Sequence, residues 1–121
     1  MPKLLIVDDE LDVREFSASF FRKRGFDVSA ASSGREALDS VARECPDLIL
    51  LDIRMDAMSG IEVLKELRQN NNPVKVVMVS GLEEDQIVKE TMTLGALGFI
   101  HKPLILEELE KVVLREFGAN V

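Results

Sequence analysis

The sequence has little cysteine: Cys45 is the only one among 121 residues. No disulfide can therefore form within the chain, and a lone free thiol fits a reducing cytosol. Interpreted most simply, this thiol is an inert structural group rather than a nucleophile. A chain of this length can bury about two thirds of the surface it exposes when unfolded. We therefore expect one domain over residues 1–121 that folds without a disulfide or a structural metal.

Long apolar runs and an excess of basic residues are also absent. No segment reaches the roughly 18 apolar residues that a membrane-spanning helix needs, and the N-terminus leads into a short apolar run without a signal-peptide pattern. Fifteen basic residues stand against twenty-two acidic ones, which gives a net charge of −7. This charge repels the phosphate backbone of nucleic acids. We expect a soluble, cytoplasmic protein whose partners are proteins or cations, not nucleic acid or a membrane.

Short apolar runs alternate with stretches of helical spacing, with no internal repeat or linker. The predicted strands are 3–7, 26–31, 46–52, 74–79 and 98–101. The predicted helices are 10–24, 34–44, 60–69, 83–94 and 107–117. In the first helix, the apolar stripe is predicted to hold Val13, Phe16, Phe20 and Phe21. Strict alternation predicts an α/β fold, a doubly wound five-stranded parallel sheet with right-handed crossovers.

Polar side chains stand where four of the predicted strands end. The apolar run before Asp52 indicates a strand buried on both faces, so this carboxylate is unlike an ordinary surface charge. Asp8 and Asp9 follow the first strand, Ser80 follows the fourth, and Lys102 follows the fifth. Ligands bind beyond the C-terminal ends of strands in open parallel sheets. The sequence therefore predicts three carboxylates, one hydroxyl and one ammonium at a single rim.

Each of these residues also has an ordinary structural interpretation. Asp8 or Asp9 could cap the first helix, Ser80 could cap the fourth, and Lys102 could be a solvated loop charge. For Asp52 a capping role is less favoured, because the strand before it is so apolar. The coincidence of polar residues at four strand ends argues for one shared site.

Four motifs together make the chain resemble the receiver domain of two-component response regulators, over nearly its whole length. They are Val7-Asp8-Asp9-Glu10, Leu51-Asp52-Ile53-Arg54-Met55 with Gly60 downstream, Val79-Ser80-Gly81, and Phe99-Ile100-His101-Lys102-Pro103. The resemblance implies a flavodoxin-like fold with strand order 2-1-3-4-5 and five flanking helices. It also implies a function, in which a histidine kinase or phosphotransfer protein passes a phosphoryl group to Asp52. Hydrolysis later removes that group, so no enzyme acting on a diffusible substrate is expected.

The resemblance also implies a Mg²⁺ site. Asp9 and Asp52 would bind the ion directly, Asp8 would bind it through water, and Arg54 would offer its backbone carbonyl. Charge counting agrees, because three carboxylates against the one positive charge of Lys102 leave a deficit of two, which one divalent cation cancels. Oxygen ligands with retained waters suit this ion.

The remaining roles implied by the resemblance concern phosphoryl binding and output. Lys102 would hold one phosphoryl oxygen and the Ser80 hydroxyl another, while Pro103 permits a cis peptide bond after Lys102. Phe99 would turn inward when Ser80 moves, although an ordinary core aromatic is an equal alternative. The surface over residues 83–117 would signal to a downstream protein or output domain, and it allows a homodimer.

Two departures from the usual family pattern follow the phosphoacceptor strand. Asp56-Ala57 stands where the family commonly has Pro-Gly, which predicts a more mobile and more acidic loop. Arg54 and Leu82 occupy flanking positions that influence water access in such domains, and the bulk of Leu82 could slow hydrolysis.

Three other classes of protein remain as alternatives. A phosphatase of the haloacid dehalogenase type also uses a strand-end aspartate and Mg²⁺, but it needs Asp-x-Asp, and this chain has Asp52-Ile53-Arg54. A binding module could use the same fold without phosphorylation. A nucleotide-binding protein is the remotest alternative, because no glycine-rich loop follows the first strand.

Overall fold

A computed structural model describes residues 2–81 and 85–117, in which five strands alternate with five helices. The strands are β1 (Lys3–Val7), β2 (Asp27–Ala31), β3 (Leu48–Asp52), β4 (Lys75–Ser80) and β5 (Gly98–His101). The helices are α1 (Leu11–Arg22), α2 (Gly34–Glu44), α3 (Gly60–Gln69), α4 (Asp85–Thr93) and α5 (Leu106–Glu116). None of these helices combines the length and apolar character needed to cross a bilayer.

All strand pairs are parallel, and the order across the sheet is β2-β1-β3-β4-β5. The predicted fold class, strand order and flanking helices are therefore confirmed. The predicted start of the fourth helix at residue 83 lies outside the described residues, which resume at Asp85.

Element ends differ from prediction by one or two residues, for local reasons. The first helix stops before Lys23, because the amides of Arg24 and Gly25 bond to carbonyls only three residues back and Gly25 turns the chain at φ +89°. The fourth strand starts one residue late, since the Val74 amide donates to the side chain of Asn72 at 3.0 Å instead of joining the sheet. At α3, the Ser59 hydroxyl accepts from the Glu62 amide at 3.2 Å, so the predicted cap is confirmed.

The sheet is covered on both faces, and alternate residues of each strand enter two separate cores. On one face, Leu5, Val7, Ile49, Leu51, Val76 and Met78 pack against α2 and α3. On the other, Leu4, Ile6, Leu48, Leu50 and Val77 pack against α1 and α5. Every residue of β3 is buried, as its apolar run predicts. Burial of each such leucine or isoleucine contributes about 1.5–3 kcal/mol, so the position of β3 is strongly fixed.

The predicted apolar stripe of α1 is wrong at Phe16. Its side chain is 68% exposed, whereas Ser17, Ala18 and Phe21 are buried. The helix therefore turns a face with two small residues toward the sheet, and Phe16 falls outside that face. Phe20 is only partly buried, and its ring packs edge-on against Phe21.

Gly60 fixes the close approach of α3 to the C-terminal end of β3. Its amide donates to the carbonyl of Ile53 at 2.9 Å. A Cβ atom placed on Gly60 would overlap the backbone carbonyl oxygen of Asp52 and lie 2.9 Å from the Cα of Ile53. Only glycine therefore fits here while the backbone around Asp52 keeps its place.

We expect Gly60→Ala to lower the free energy of unfolding by about 1–3 kcal/mol, because the added methyl group must displace backbone atoms. Urea unfolding followed by far-ultraviolet circular dichroism measures this change. Gly81→Ala is the matched control, since no atom lies within 4 Å of a Cβ placed at Gly81. Equal stabilities of the two variants would contradict the steric argument.

Candidate functional site

Four neighbouring strands bring their polar ends together at one rim of the sheet. Asp52 and Ser80 are the last residues of β3 and β4, while Asp8 and Lys102 directly follow β1 and β5. Asp8, Asp9 and Asp52 each offer one carboxylate oxygen, and these atoms lie within 4.8 Å of one another. The strand-end convergence expected from the sequence is present.

Lys102 joins the carboxylates through its side chain and β4 through its backbone. Its Nζ lies 3.4 Å from Oδ2 of Asp8, 3.4 Å from Oδ2 of Asp52 and 3.8 Å from Oε1 of Glu10. Its backbone amide donates to the carbonyl of Ser80 at 2.8 Å, and the peptide bond to Pro103 is cis. Lys102 is thus the cation at the centre of three carboxylates.

Asp8 serves the local structure and the site together. Its Oδ1 accepts the backbone amide of Glu10 at 2.9 Å, which closes the turn before α1, while Oδ2 faces Lys102. The guanidinium of Arg14 donates to the backbone carbonyl of Asp8 at 2.8 Å. The structural interpretation of Asp8 and its place in the site are therefore compatible.

Asp52 is a buried carboxylate, and its two oxygens differ in their hydrogen bonding. The residue is 2% exposed, and its Oδ2 accepts from Lys102 at 3.4 Å. Its Oδ1 is buried and has no hydrogen-bond partner within the described ranges. Burial raises the pKa of Asp52 from its ordinary value of 3.8 to about 6; the negative charge of Asp8 acts in the same direction, and Lys102 opposes it. The ionised carboxylate therefore needs more positive charge than Lys102 supplies.

Burial and neighbouring negative charges act on the pKa of Lys102 in opposite directions. Burial opposes its charged form, but the neighbouring charges of Asp52 and Asp8 outweigh burial and raise the pKa of Lys102. The ammonium is therefore retained at neutral pH.

The donor set fits a hard divalent cation such as Mg²⁺. It consists of carboxylate oxygens from Asp8, Asp9 and Asp52, of which Asp9 is exposed and the other two are buried. The unpartnered Oδ1 of Asp52 is the atom that most needs a cation, because a buried polar group without a partner costs about 1–3 kcal/mol. Such ions prefer oxygen ligands and keep several waters, which the exposed side at Asp9 permits.

Ser80 and Phe99 share the sheet face that α3 covers. Ser80 is fully buried, one residue beyond the Val79 that pairs with Asp52. Phe99 pairs in register with Met78, two residues before Ser80, and it packs against the same core as that methionine. The ring of Phe99 is partly buried and lies 5.1 Å from the ring of His101, centroid to centroid.

The loop after Asp52 contains a strained residue. Ala57 has φ 64°, a left-handed conformation that costs a non-glycine residue about 1–2 kcal/mol. The family's usual glycine would carry no such cost, so this departure has a physical consequence. Arg54 and Asp56 are exposed. Greater mobility of this loop stays a prediction, as does the effect of Leu82, which lies outside the described residues.

Two residues near the site were not predicted to belong to it. Glu10 reaches Lys102, and Arg14 holds the backbone of Asp8. The sequence carried a weak signal, because Glu10 directly follows the acidic pair and Arg14 lies one helical turn later. Which way either side chain points depends on where α1 begins.

Comparison with known proteins gives one family. The family model of the response regulator receiver domain matches residues 4–114. Over 111 residues, the chain is 36% identical to sporulation initiation phosphotransferase F of Bacillus subtilis (strain 168), covering 92% of this chain and 90% of that protein. It is 38% identical over 113 residues to the regulatory protein AtoC of Escherichia coli (strain K12), covering 93% of this chain but only 24% of that protein.

Solved structures agree with this result. The receiver domain of the Francisella response regulator 1452 superposes with a TM-score of 0.92 at 29% identity, over 100% of both chains. The Vibrio cholerae chemotaxis protein CheY4 gives a TM-score of 0.89 at 30% identity, over 95% of this chain and 98% of that one.

The buried charge of Asp52 predicts an unusual stability change. Its folded-state pKa of about 6 lies above its ordinary value of 3.8, so ionisation opposes folding. This penalty is absent below the lower value and complete above the higher one. With divalent cations removed by chelation, we expect Asp52→Asn to raise the free energy of unfolding by about 1–3 kcal/mol at about pH 7.5 and to add little at about pH 4.

Urea unfolding at the two pH values measures the effect, and Asp39→Asn, an exposed aspartate on α2, is the control. Addition of Mg²⁺ should stabilise the wild type and narrow its difference from Asp52→Asn. A variant less stable than the wild type in chelator would contradict the charge argument.

Proposed function

The chain belongs to the receiver domain family of two-component response regulators, and we propose that Asp52 is its phosphoacceptor. One observation carries this proposal. Asp52 is buried at the end of the central strand, with Oδ2 against Lys102 and Oδ1 without a partner in the described structure. A buried carboxylate that has one oxygen beside an ammonium and a second oxygen left to bind a cation suits attack at a phosphoryl group.

The proposed reaction transfers one phosphoryl group from a protein histidine. A carboxylate oxygen of Asp52 forms a new bond to phosphorus, and the bond between phosphorus and the histidine nitrogen breaks. The electron pair stays with that nitrogen, which then takes a proton. Lys102 reduces the repulsion between the two anions, and the hydroxyl of Ser80 donates to a phosphoryl oxygen.

The carboxylates would hold Mg²⁺ during this reaction. In the proposal, Asp9 and Asp52 bind the ion directly, Asp8 binds it through water, and Arg54 contributes its backbone carbonyl. When bound, the ion supplies positive charge that the three carboxylates lack and that the phosphoryl oxygens require. The donor atoms within 4.8 Å of one another support this arrangement.

Loss of the phosphoryl group by hydrolysis belongs to the same proposal, without turnover of a diffusible substrate. The phosphatase alternative is less supported. It requires a second carboxylate two residues after the nucleophile, where this chain has Arg54, whose side chain is exposed.

The output proposal links the site to a surface. When Ser80 moves toward the phosphoryl group, Phe99 could turn into the space released on their shared sheet face. The ring of Phe99 is next to β4 and only partly buried, which supports such movement, although an ordinary core role remains the alternative. The surface of α4, β5 and α5 would then change its affinity for a downstream protein, an output domain or a second copy of the chain.

An apolar patch beside Lys102, formed by Val13, Phe16, Leu104 and Leu106, supports docking of a phosphohistidine protein. Phe16 is 68% exposed. Phe16 and Lys102 line the same cavity of about 280 Å³ between α1 and the segment after β5. A protein that presents a histidine to Asp52 must cover this rim, so its surface would bury the patch. We therefore assign the patch to the phosphodonor protein.

Two broader expectations remain part of this proposal. They are a single receiver domain over residues 1–121 and a cytoplasmic location. The chain spans nearly all of one curated relative and about a quarter of another. The expected receiver domain is therefore compatible both with a protein of this length and with a larger regulator.

Incubation with acetyl phosphate and Mg²⁺ tests the phosphoacceptor. We expect the intact mass of the wild type to rise by one phosphoryl group, and that of Asp52→Asn to stay unchanged, because a neutral amide replaces the carboxylate nucleophile in the variant. Asp39→Asn should be modified like the wild type. An unmodified wild type, or an Asp52→Asn variant modified equally, would refute the assignment, while steady turnover of a chromogenic phosphate ester would favour the phosphatase.

Phe16→Ala tests the docking patch. We expect kcat/KM for transfer from a histidine kinase, chosen from a panel because it phosphorylates the wild type, to fall about 10-fold or more, as for a buried aromatic contact. The rate with acetyl phosphate should stay within about two-fold, because the small donor does not need the patch. Met92→Ala, an exposed apolar change on α4, is the control. Equal losses with both donors would contradict a docking role.

A further inference from the structure

The ammonium of Lys102 faces more carboxylates than phosphoryl binding requires. It has three N–H donors, and three carboxylate oxygens stand near them. Asp8 and Asp52 are at 3.4 Å each, and Glu10 is at 3.8 Å. A phosphoryl oxygen can approach Lys102 only if one of these contacts is weakened.

The three carboxylates differ in their freedom to leave. The side chains of Asp8 and Asp52 are 4% and 3% exposed, and both belong to the cluster that fits a cation. Glu10 has a side chain that is 66% exposed, and it is not part of that cluster. Solvent can therefore receive the carboxylate of Glu10 at little cost, whereas burial opposes movement of the other two carboxylates into solvent.

The backbone of Glu10 is fixed, but its side chain is not. Its amide donates to Oδ1 of Asp8, and its carbonyl accepts from the amide of Arg14 at 3.0 Å. Glu10 precedes α1 as the N-cap residue, yet its side chain makes no capping hydrogen bond. Within the described ranges, the ion pair with Lys102 is the contact recorded for this carboxylate.

We propose that Glu10 is a positioning residue that acts through Lys102 and competes with the phosphoryl group for its ammonium. This inference rests on the proposed function of Asp52. Without a phosphoryl group, Glu10 holds Lys102 from the solvent side. When a phosphoryl oxygen arrives, the ammonium moves to it, and the carboxylate of Glu10 turns into solvent. The contact therefore lowers the affinity of the site for the phosphoryl group and favours the unphosphorylated state.

Two variants separate this contact from the general effect of negative charge. Glu10→Gln removes both the charge and the ion pair. Glu10→Asp keeps the charge but shortens the reach, and an aspartate at an N-cap turns toward the amides of the helix's first turn instead. Glu15→Gln is the matched control, since Glu15 is exposed on the same helix and no ion pair is recorded for it in the described ranges.

The experiment measures binding of beryllofluoride, a phosphoryl mimic, at saturating Mg²⁺ and low ionic strength. Nuclear magnetic resonance titration is suited to it, because the chain has no tryptophan or tyrosine to report binding by fluorescence. We expect Glu10→Gln and Glu10→Asp to bind about two- to five-fold more tightly than the wild type, the size expected from losing one exposed ion pair. Glu15→Gln should match the wild type.

Each of the other outcomes contradicts either this inference or the proposed function. Wild-type affinity in Glu10→Asp would show that only charge matters, and an equal gain in Glu15→Gln would show the same; either result overturns the role of the contact. Equal affinities of all four proteins would overturn this inference alone. A wild-type chain that binds no beryllofluoride would overturn the proposed function, and the inference with it.

Discussion

The structure depends most on holding two buried carboxylates, Asp8 and Asp52, against a single ammonium. Lys102 lies 3.4 Å from an oxygen of each, in a place where burial raises the pKa of Asp52 to about 6. Two buried negative charges and one positive charge leave the rim short of cations. Burial and this imbalance together raise the pKa of Asp52, and the imbalance favours binding of a divalent ion.

The rest of the fold keeps these charges in place. Burial of β3 on both faces fixes Asp52. Because Gly60 has no side chain, α3 can begin directly beside the backbone of Asp52. The backbone of Lys102 is held through its own amide, which donates to the carbonyl of Ser80. Asp8 is anchored by the turn before α1. A site that stores unfavourable charge needs such supports, because relaxation would otherwise separate the like charges.

Function and stability oppose each other in this arrangement. The same desolvation that makes ionised Asp52 costly in the folded protein favours binding of a cation at the rim. Ala57, in a left-handed conformation in the loop that follows, adds a second small cost close to the site. Glu10 lies on the solvent side of Lys102, and its exposed carboxylate can leave the ammonium for water.

The order of strands and helices could be predicted, because apolar period and turn residues are local properties of the sequence. The convergence of Asp8, Asp52 and Lys102 followed from it, since ends of parallel strands share one rim. The rotation of α1 about its own axis could not be predicted. The sequence therefore predicted Phe16 on the apolar stripe of α1, whereas its side chain is exposed to solvent.

By itself, the sequence determined the alternating elements, the acidic rim and the resemblance to receiver domains, since each is written in residue type and spacing. Only the tertiary structure decided which oxygen of Asp52 lacks a partner among the described residues, and that Glu10 reaches Lys102. It also decided that Gly60 has no room for a side chain. These are distances of a few ångströms between residues far apart in the chain, and they depend on how helices rotate and pack on the sheet, which no local pattern encodes.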